Sequence, residues 1–184
     1  MKRSSSKQDA LTLLKKDHQL VKDIFDRFED TEDRAERKRL AEQAIQELKV
    51  HAEIEEEIFY PALRKTGGDG LIEEADEEHH VAKLLIAELE LMTGDEENFQ
   101  AKFQVLAENV RHHIKEEEKE VFAEAKKSDI DLDVLGKMLA QRKQAVQSAG
   151  VPKLFEEQVI SDAGLQKESP SRHFARDFQF PPSA

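Results

Sequence analysis

Four histidines and two glutamates of this chain stand at spacings that suit metal chemistry. His51 is followed four residues later by Glu55, and His113 four residues later by Glu117. On a helix, residues i and i+4 share a face about 6 Å apart along the axis, so each pair can hold one metal ion or two adjacent ones. His18 and His79 lie on apolar stripes of their own, Leu11-Leu14-His18-Val21-Phe25-Phe28 and Ile72-Ala75-His79-Ala82-Ile86-Leu89. A core carboxylate without a partner is strongly disfavoured; it must be paired, hydrogen-bonded, protonated or bound to metal. The core-facing positions around Glu55 and Glu117 offer no Lys or Arg. The chain has no cysteine, which excludes a disulfide framework, a thiol nucleophile and a thiolate or iron–sulfur site. The remaining nitrogen and oxygen donors suit iron, with zinc, manganese and copper as alternatives on affinity.

An internal repeat ties the six residues together. Shifted by 61 residues, Asp17-His18-Gln19-Leu20-Val21-Lys22 meets Glu78-His79-His80-Val81-Ala82-Lys83. Shifted by 62, His51-Ala52-Glu53-Ile54-Glu55-Glu56-Glu57 meets His113-Ile114-Lys115-Glu116-Glu117-Glu118-Lys119. Each half thus supplies one His from its first helix and a His-x-x-x-Glu pair from its second. Imidazoles and carboxylates in register across a repeat point at one bundle core.

The elements that must position them are helices. Apolar positions recur at steps of three and four over residues 7–29, one face of a helix. Thr31 stands as an N-cap for a second helix running to about Arg64, with Leu40, Ala44, Leu48, His51, Glu55, Ile58 and Ala62 aligned. Thr66-Gly67-Gly68-Asp69-Gly70 breaks the pattern, a third helix follows, and Thr93-Gly94-Asp95 turns into a fourth carrying Phe103, Leu106, Val110, His113, Glu117 and Val121. Ser128-Asp129 ends that helix, and a shorter one spans about 131–147. Short loops favour antiparallel neighbours. The expected fold is all-α: an antiparallel up-down four-helix bundle with a short fifth helix over residues 7–147. Residues 148–184 read as a C-terminal tail, disordered or docked on the bundle, with a short helix over Leu154 to Lys167 and an aromatic end around His173, Phe174, Phe178 and Phe180.

Other histidines and acids fall beside the stripes. His80 lies some 100° round the helix from His79, next to Asp76, Lys83 and Leu84; His112 sits beside Glu108 and Glu116. Both read as flanking residues. Glu53, Glu56, Glu57, Glu116 and Glu118 read as solvated, with some of them orienting ligands. The sole tyrosine, Tyr60, reads as a packed bundle residue.

Charge narrows the functions. The 184 residues include 40 acidic and 28 basic side chains, for a formal net charge of −12. Nucleic-acid and anionic-membrane binders need basic patches, so neither is expected as a partner. Charged residues make up 37%, against about a quarter in ordinary domains, which fits a small core under a charged helical surface. The longest apolar runs, such as Leu84-Leu85-Ile86-Ala87, are far short of the roughly 20 residues that span a bilayer. A basic start, Met1-Lys2-Arg3, is followed by no apolar signal core, so the expected location is cytoplasmic.

His18, His51-x-x-x-Glu55, His79 and His113-x-x-x-Glu117 together resemble the hemerythrin-like HHE cation-binding domain, over residues 9–147. The resemblance implies a four-helix bundle holding two iron ions as a non-haem di-iron centre. By it, His18 and His51 serve one iron, His79 and His113 the other, and Glu55 and Glu117 bridge them beside an oxo, hydroxo or water bridge. The chain departs from oxygen-carrying hemerythrins at two points. Lys83 stands where they carry a further His, and the helix 4 carboxylate at their five-residue spacing is Glu118, not Glu117. Four histidines instead of five leave coordination positions open to O2, NO or peroxide. The Glu-x-x-His spacing of ferritin-type di-iron enzymes occurs at Glu77 and His80, off the core stripe. The expected function is therefore metal binding at a di-iron centre that binds or senses such ligands or buffers iron. A di-iron oxidase or peroxidase, and a helical interaction module with structural metal, are the alternatives.

Overall fold

Apolar stripes at helical spacing must bury themselves against one another, and in the computed structural model of the chain they do so. The structure describes residues 9–150, 153 and 154. Helix α1 spans Ala10–Asp30 and α2 spans Arg34–Ile54. A π-helical turn, Glu55–Phe59, leads from α2 into α3, Tyr60–Arg64. Helix α4 spans Asp69–Glu90 and α5 spans Phe99–Glu116. A second π-helical turn, Glu117–Val121, leads into α6, Phe122–Lys127, and α7 spans Leu132–Ala149. The described residues form no strand, and none of their helices is long and apolar enough to cross a membrane.

The chain breaks fall where Gly and short polar residues allow them. Gly67 takes φ +94 after α3, a backbone that glycine adopts without the penalty a Cβ imposes. The expected N-cap Thr31 is corrected. Asp33 caps α2, accepting from the Ala35 and Glu36 amides, while the Thr31 hydroxyl accepts from the Asp33 amide. A carboxylate also complements the positive end of the helix dipole, which a hydroxyl does not.

The core is two apolar clusters with a polar layer between them. One gathers Phe25, Phe28, Leu40, Ile86, Phe99 and Phe103. The other gathers Leu14, Phe59, Leu63, Ile72, Phe122 and Leu139. Chain positions 18, 51–55, 79 and 113–117 fall between the two. Helices α1 and α4 run from the second cluster to the first, and α2 and α5 run back. Every histidine–glutamate position is thereby brought to one level.

The π turns reset the buried face. The apolar stripe of α2 was expected to continue at Ile58 and Ala62, yet these are half-buried while Phe59, Tyr60 and Leu63 are fully buried. The Tyr60 amide donates to the Glu55 carbonyl, five residues back, and the Phe122 amide does the same to Glu117. One extra residue per turn moves the inward face on by one position.

Helix α7 breaks the twofold repeat. It packs on α1, α2 and the first π turn. There Leu135 and Leu139 join a cluster with Leu13, Ile54 and Ile58. The repeat equivalents of those three residues in the other half are Glu74, Glu116 and Glu120. One half is apolar where a helix covers it, and the other is acidic at the same positions. Leu154 packs against the first cluster; its backbone is not helical. The rest of the expected 154–167 helix and the aromatic end with His173 lie outside the described residues.

Candidate metal centre

The sequence-predicted residues His18, His51, Glu55, His79, His113 and Glu117 are all buried and converge in the polar layer. His18 Nε2 lies 3.1 Å from His51 Nε2, and His79 Nε2 lies 3.2 Å from His113 Nε2. Glu117 Oε2 is 3.2 Å from His18 Nε2, and Glu55 Oε1 is 3.2 Å from His51 Nε2. The other Glu55 oxygen is 3.5 Å from His79 Nε2. Two sets result, His18-His51-Glu55-Glu117 and Glu55-His79-His113, each with donor atoms within 4.8 Å of one another. Glu55 belongs to both.

A carboxylate stands behind each imidazole. His18 Nδ1 is 3.0 Å from Glu118 and His79 Nδ1 is 2.8 Å from Glu56. His113 Nδ1 is 2.7 Å from Glu78, and His51 Nδ1 is 3.8 Å from Asp17. The pattern repeats: Asp17 and Glu78 precede the first-helix His of each half, and Glu56 and Glu118 follow the ligand Glu. Cations close the next ring. Lys83 pairs with Glu56 at 2.6 Å, Lys143 of α7 with Asp17 at 2.5 Å, and Lys15 and Lys22 lie 3.8 Å from Glu118.

These partners decide where the ring protons sit. At His18, His79 and His113 the carboxylate accepts from Nδ1, so Nδ1 carries the proton and Nε2 presents a lone pair inward. Two Nε2 lone pairs facing each other at 3.1 Å repel unless a proton or a metal ion lies between them. Among the described residues, Glu55 Oε1 and both Glu117 oxygens are buried without a hydrogen-bond partner. Their nearest imidazole nitrogens approach closely but out of hydrogen-bond alignment, as two ligands of one cation do. The residues present therefore fit a pair of metal ions.

Electrostatics say the same. Burial and the neighbouring charge of Glu55 push Glu117 above the usual carboxylate range. Burial also acts on Glu55, but the His51 imidazolium outweighs it and holds Glu55 low. Burial disfavours a charged His51, yet Glu55 and Asp17 raise it to about 10. Burial lowers His18. Without metal, a protonated His51 compensates Glu55, while burial and the Glu55 charge favour the neutral form of Glu117.

Tyr60, expected as a packed residue, is fully buried, and its hydroxyl also reaches the site. It lies 3.4 Å from Glu55 Oε2, to which it donates, and 3.3 Å from His79 Nε2. Its repeat partner Phe122 stacks on His18 at a centroid distance of 5.7 Å. The surroundings of His79 and His18 thus differ by a hydroxyl.

A cavity of about 40 Å³ adjoins the four histidines, walled by Val21, Leu48, Ile86, Val110 and Leu154. A single water needs roughly 10–15 Å³ by this measure, so the space suits a molecule of two or three atoms.

The flanking assignments separate cleanly. His80 is exposed, as is Glu77, so the Glu-x-x-His pair stays outside the core. His112 is exposed, 3.3 Å from Glu116. Glu118 is turned to the back of His18 and Lys83 to Glu56, so neither joins the inward donor set. Glu53 and Glu57 hold Arg142 of α7. Sequence reasoning missed Asp17 and Glu78 as imidazole partners; the signal was an acid immediately before His18 and His79 in both copies of the repeat.

The hemerythrin HHE cation-binding domain model matches residues 9–125. The chain belongs to that family. A DNA nickase of Nostoc sp. (strain PCC 7120 / SAG 25.82 / UTEX 2576) is 29% identical over 121 residues, which are 65% of this chain and 34% of that protein. The chain therefore spans about a third of the length of that curated relative. The crystal structure of a hemerythrin HHE cation-binding domain-containing protein from Mycobacterium kansasii shares the fold with a TM-score of 0.66. It is 23% identical, with 77% of this chain and 88% of that chain covered.

Proposed function

We propose that the protein binds two iron ions as a non-haem di-iron centre inside an antiparallel up-down four-helix bundle with α7 as a fifth helix. His18 and His51 hold one ion, His79 and His113 hold the other, and Glu55 and Glu117 face both. The observation that carries this reading is the pair of overlapping donor sets that share Glu55. Mixed imidazole and carboxylate donors suit iron. When bound, the metal pair supplies open positions for O2, NO or peroxide. The chain contributes the rest. Glu56, Glu78, Glu118 and Asp17 hold the imidazoles, and the apolar cavity admits a small neutral molecule beside them.

Metal analysis with visible absorption, before and after exposure to O2, tests the reading. Two irons per chain and an O2-dependent spectrum are expected; purified protein that takes up no iron refutes it. The double variant His51→Ala/His113→Ala removes a ligand from each set, and a full iron complement in it would refute the ligand assignment. Nicking stands in the relative's name, and that relative extends well beyond the shared bundle. A net charge of −12 repels duplex phosphates, so the iron-loaded chain is expected to leave supercoiled plasmid intact.

A further inference from the structure

The half of the bundle that α7 leaves open carries acid from the surface down to the buried ligands. Glu74, Glu78, Glu116 and Glu120 line a cleft that reaches His113 and Glu117. At its rim, His112 Nε2 lies 3.3 Å from Glu116 Oε1 and 3.8 Å from Glu78 Oε1. These three residues offer donor atoms within 4.8 Å of one another. Glu78 touches both levels: its second oxygen, Oε2, is 2.7 Å from His113 Nδ1. Glu117, on the cleft, is 1% exposed, and neither of its oxygens has a hydrogen-bond partner among the described residues. In the other half the positions equivalent to Glu74, Glu116 and Glu120 are Leu13, Ile54 and Ile58, clustered with Leu135 and Leu139 of α7, and only Glu78 has an acidic equivalent, Asp17.

We propose that this cleft is the way in for metal, with a transit site for a hydrated divalent cation at Glu78, His112 and Glu116. The inference rests on the di-metal reading of the core. An ion crossing from water to a buried site must exchange its water ligands stepwise, and each step needs a donor within reach. The rim supplies two carboxylates and an imidazole, Glu78 leads inward, and the unpartnered oxygens of Glu117 receive the ion. A cleft lined by one sign of charge also concentrates the opposite ion and speeds its arrival. The rim group is open to water, with the His112 side chain 59% exposed, so it holds the ion less firmly than the core. That difference drives transfer inward.

The test follows Co2+ uptake by the metal-free full chain, by stopped-flow visible absorption at limiting metal. The variant His112→Gln/Glu116→Gln/Glu120→Gln is expected to load about tenfold more slowly and to reach the same final stoichiometry as the unaltered chain. A charge-matched control, Glu32→Gln/Glu97→Gln, alters exposed positions at the opposite end of the bundle. It is expected to change the rate by less than about twofold, since screened charges act over roughly 10 Å. Equal rates in the triple variant and the control overturn the transit site and leave the di-metal reading standing. So does a triple variant with reduced final stoichiometry, which would make these residues ligands or supports rather than a path. An unaltered chain that takes up no Co2+ overturns the di-metal reading, and this inference with it.

Discussion

Three of the four core imidazoles, those of His18, His79 and His113, are hydrogen-bonded from behind by a carboxylate, and that partner sets their chemistry. Glu55 and Glu56 address the two ring nitrogens of His79, while Glu117 and Glu118 address those of His18. Glu56→Gln weakens the acceptor at His79 Nδ1, and such partners are worth about 10–100-fold in metal affinity. A loss of that size is expected in a competitive chelator titration, with stoichiometry intact at saturating metal. Glu57→Gln, whose carboxylate holds Arg142 instead, is expected to bind metal as the unaltered chain does. His51 gives a second prediction. Its pKa of about 10 keeps it protonated at pH 7 in the metal-free chain, so metal must displace that proton. Apparent affinity then rises as pH rises from 6 to 8, by about tenfold per unit for one released proton. An affinity independent of pH over that range would refute it. The inward residues were legible from the repeat, which prefers His79 to His80 and His113 to His112. Their partners were less so. Neighbours on a helix diverge by about 100°, so the sequence, which left some of these acids to orient the imidazoles, did not single out Glu56 and Glu118 as the ones that reach across to the other half.

At the scale of elements, the two wide turns are what periodicity could not show. Ile58 and Phe59 are both apolar, so a regular helix and a helix with one inserted residue fit the stripe equally well until the site is seen. Both π turns begin at a buried carboxylate of the polar layer, Glu55 and Glu117, and such turns are common at functional sites. Deleting Glu57 restores a regular turn that keeps Phe59 and Leu63 facing inward, but it closes the wide turn that presents Glu55 and removes the Glu57–Arg142 pair. Lower thermal stability and a lower iron stoichiometry are expected together; a deletion variant with two irons per chain would show that the turn is not needed. A helix over about 131–147 was legible, and α7 spans Leu132–Ala149, while its one-sided placement was not. The signal lay in the repeat itself, where Leu13, Ile54 and Ile58 are exchanged for Glu74, Glu116 and Glu120. Leu139 is completely buried, so Leu139→Ala is expected to cost about 2–5 kcal/mol in denaturant unfolding.

For the whole molecule, the buried histidines and their carboxylates interlock the halves. His18 of the first half is clasped by Glu117 and Glu118 of the second, and His79 of the second by Glu55 and Glu56 of the first. Apolar packing above and below would hold the helices together without metal, but it leaves Glu55 and Glu117 buried, with imidazole protons and the Tyr60 hydroxyl to offset them. Two dications add +4 locally to a chain whose formal charge is −12, at the point where that negative charge is hardest to solvate. Metal bound only by the folded state must therefore raise stability, by about 2.7 kcal/mol at a free concentration one hundred times Kd. For a domain of this size that is a rise in Tm of roughly 5–10 °C. Calorimetry of the loaded chain, with and without a strong chelator, measures it. Because the donor sets share Glu55 and span both halves, the loss is expected as a shift of one cooperative transition. Equal melting temperatures would mean that the ions do not bridge the halves, and a split transition would mean that each half melts on its own.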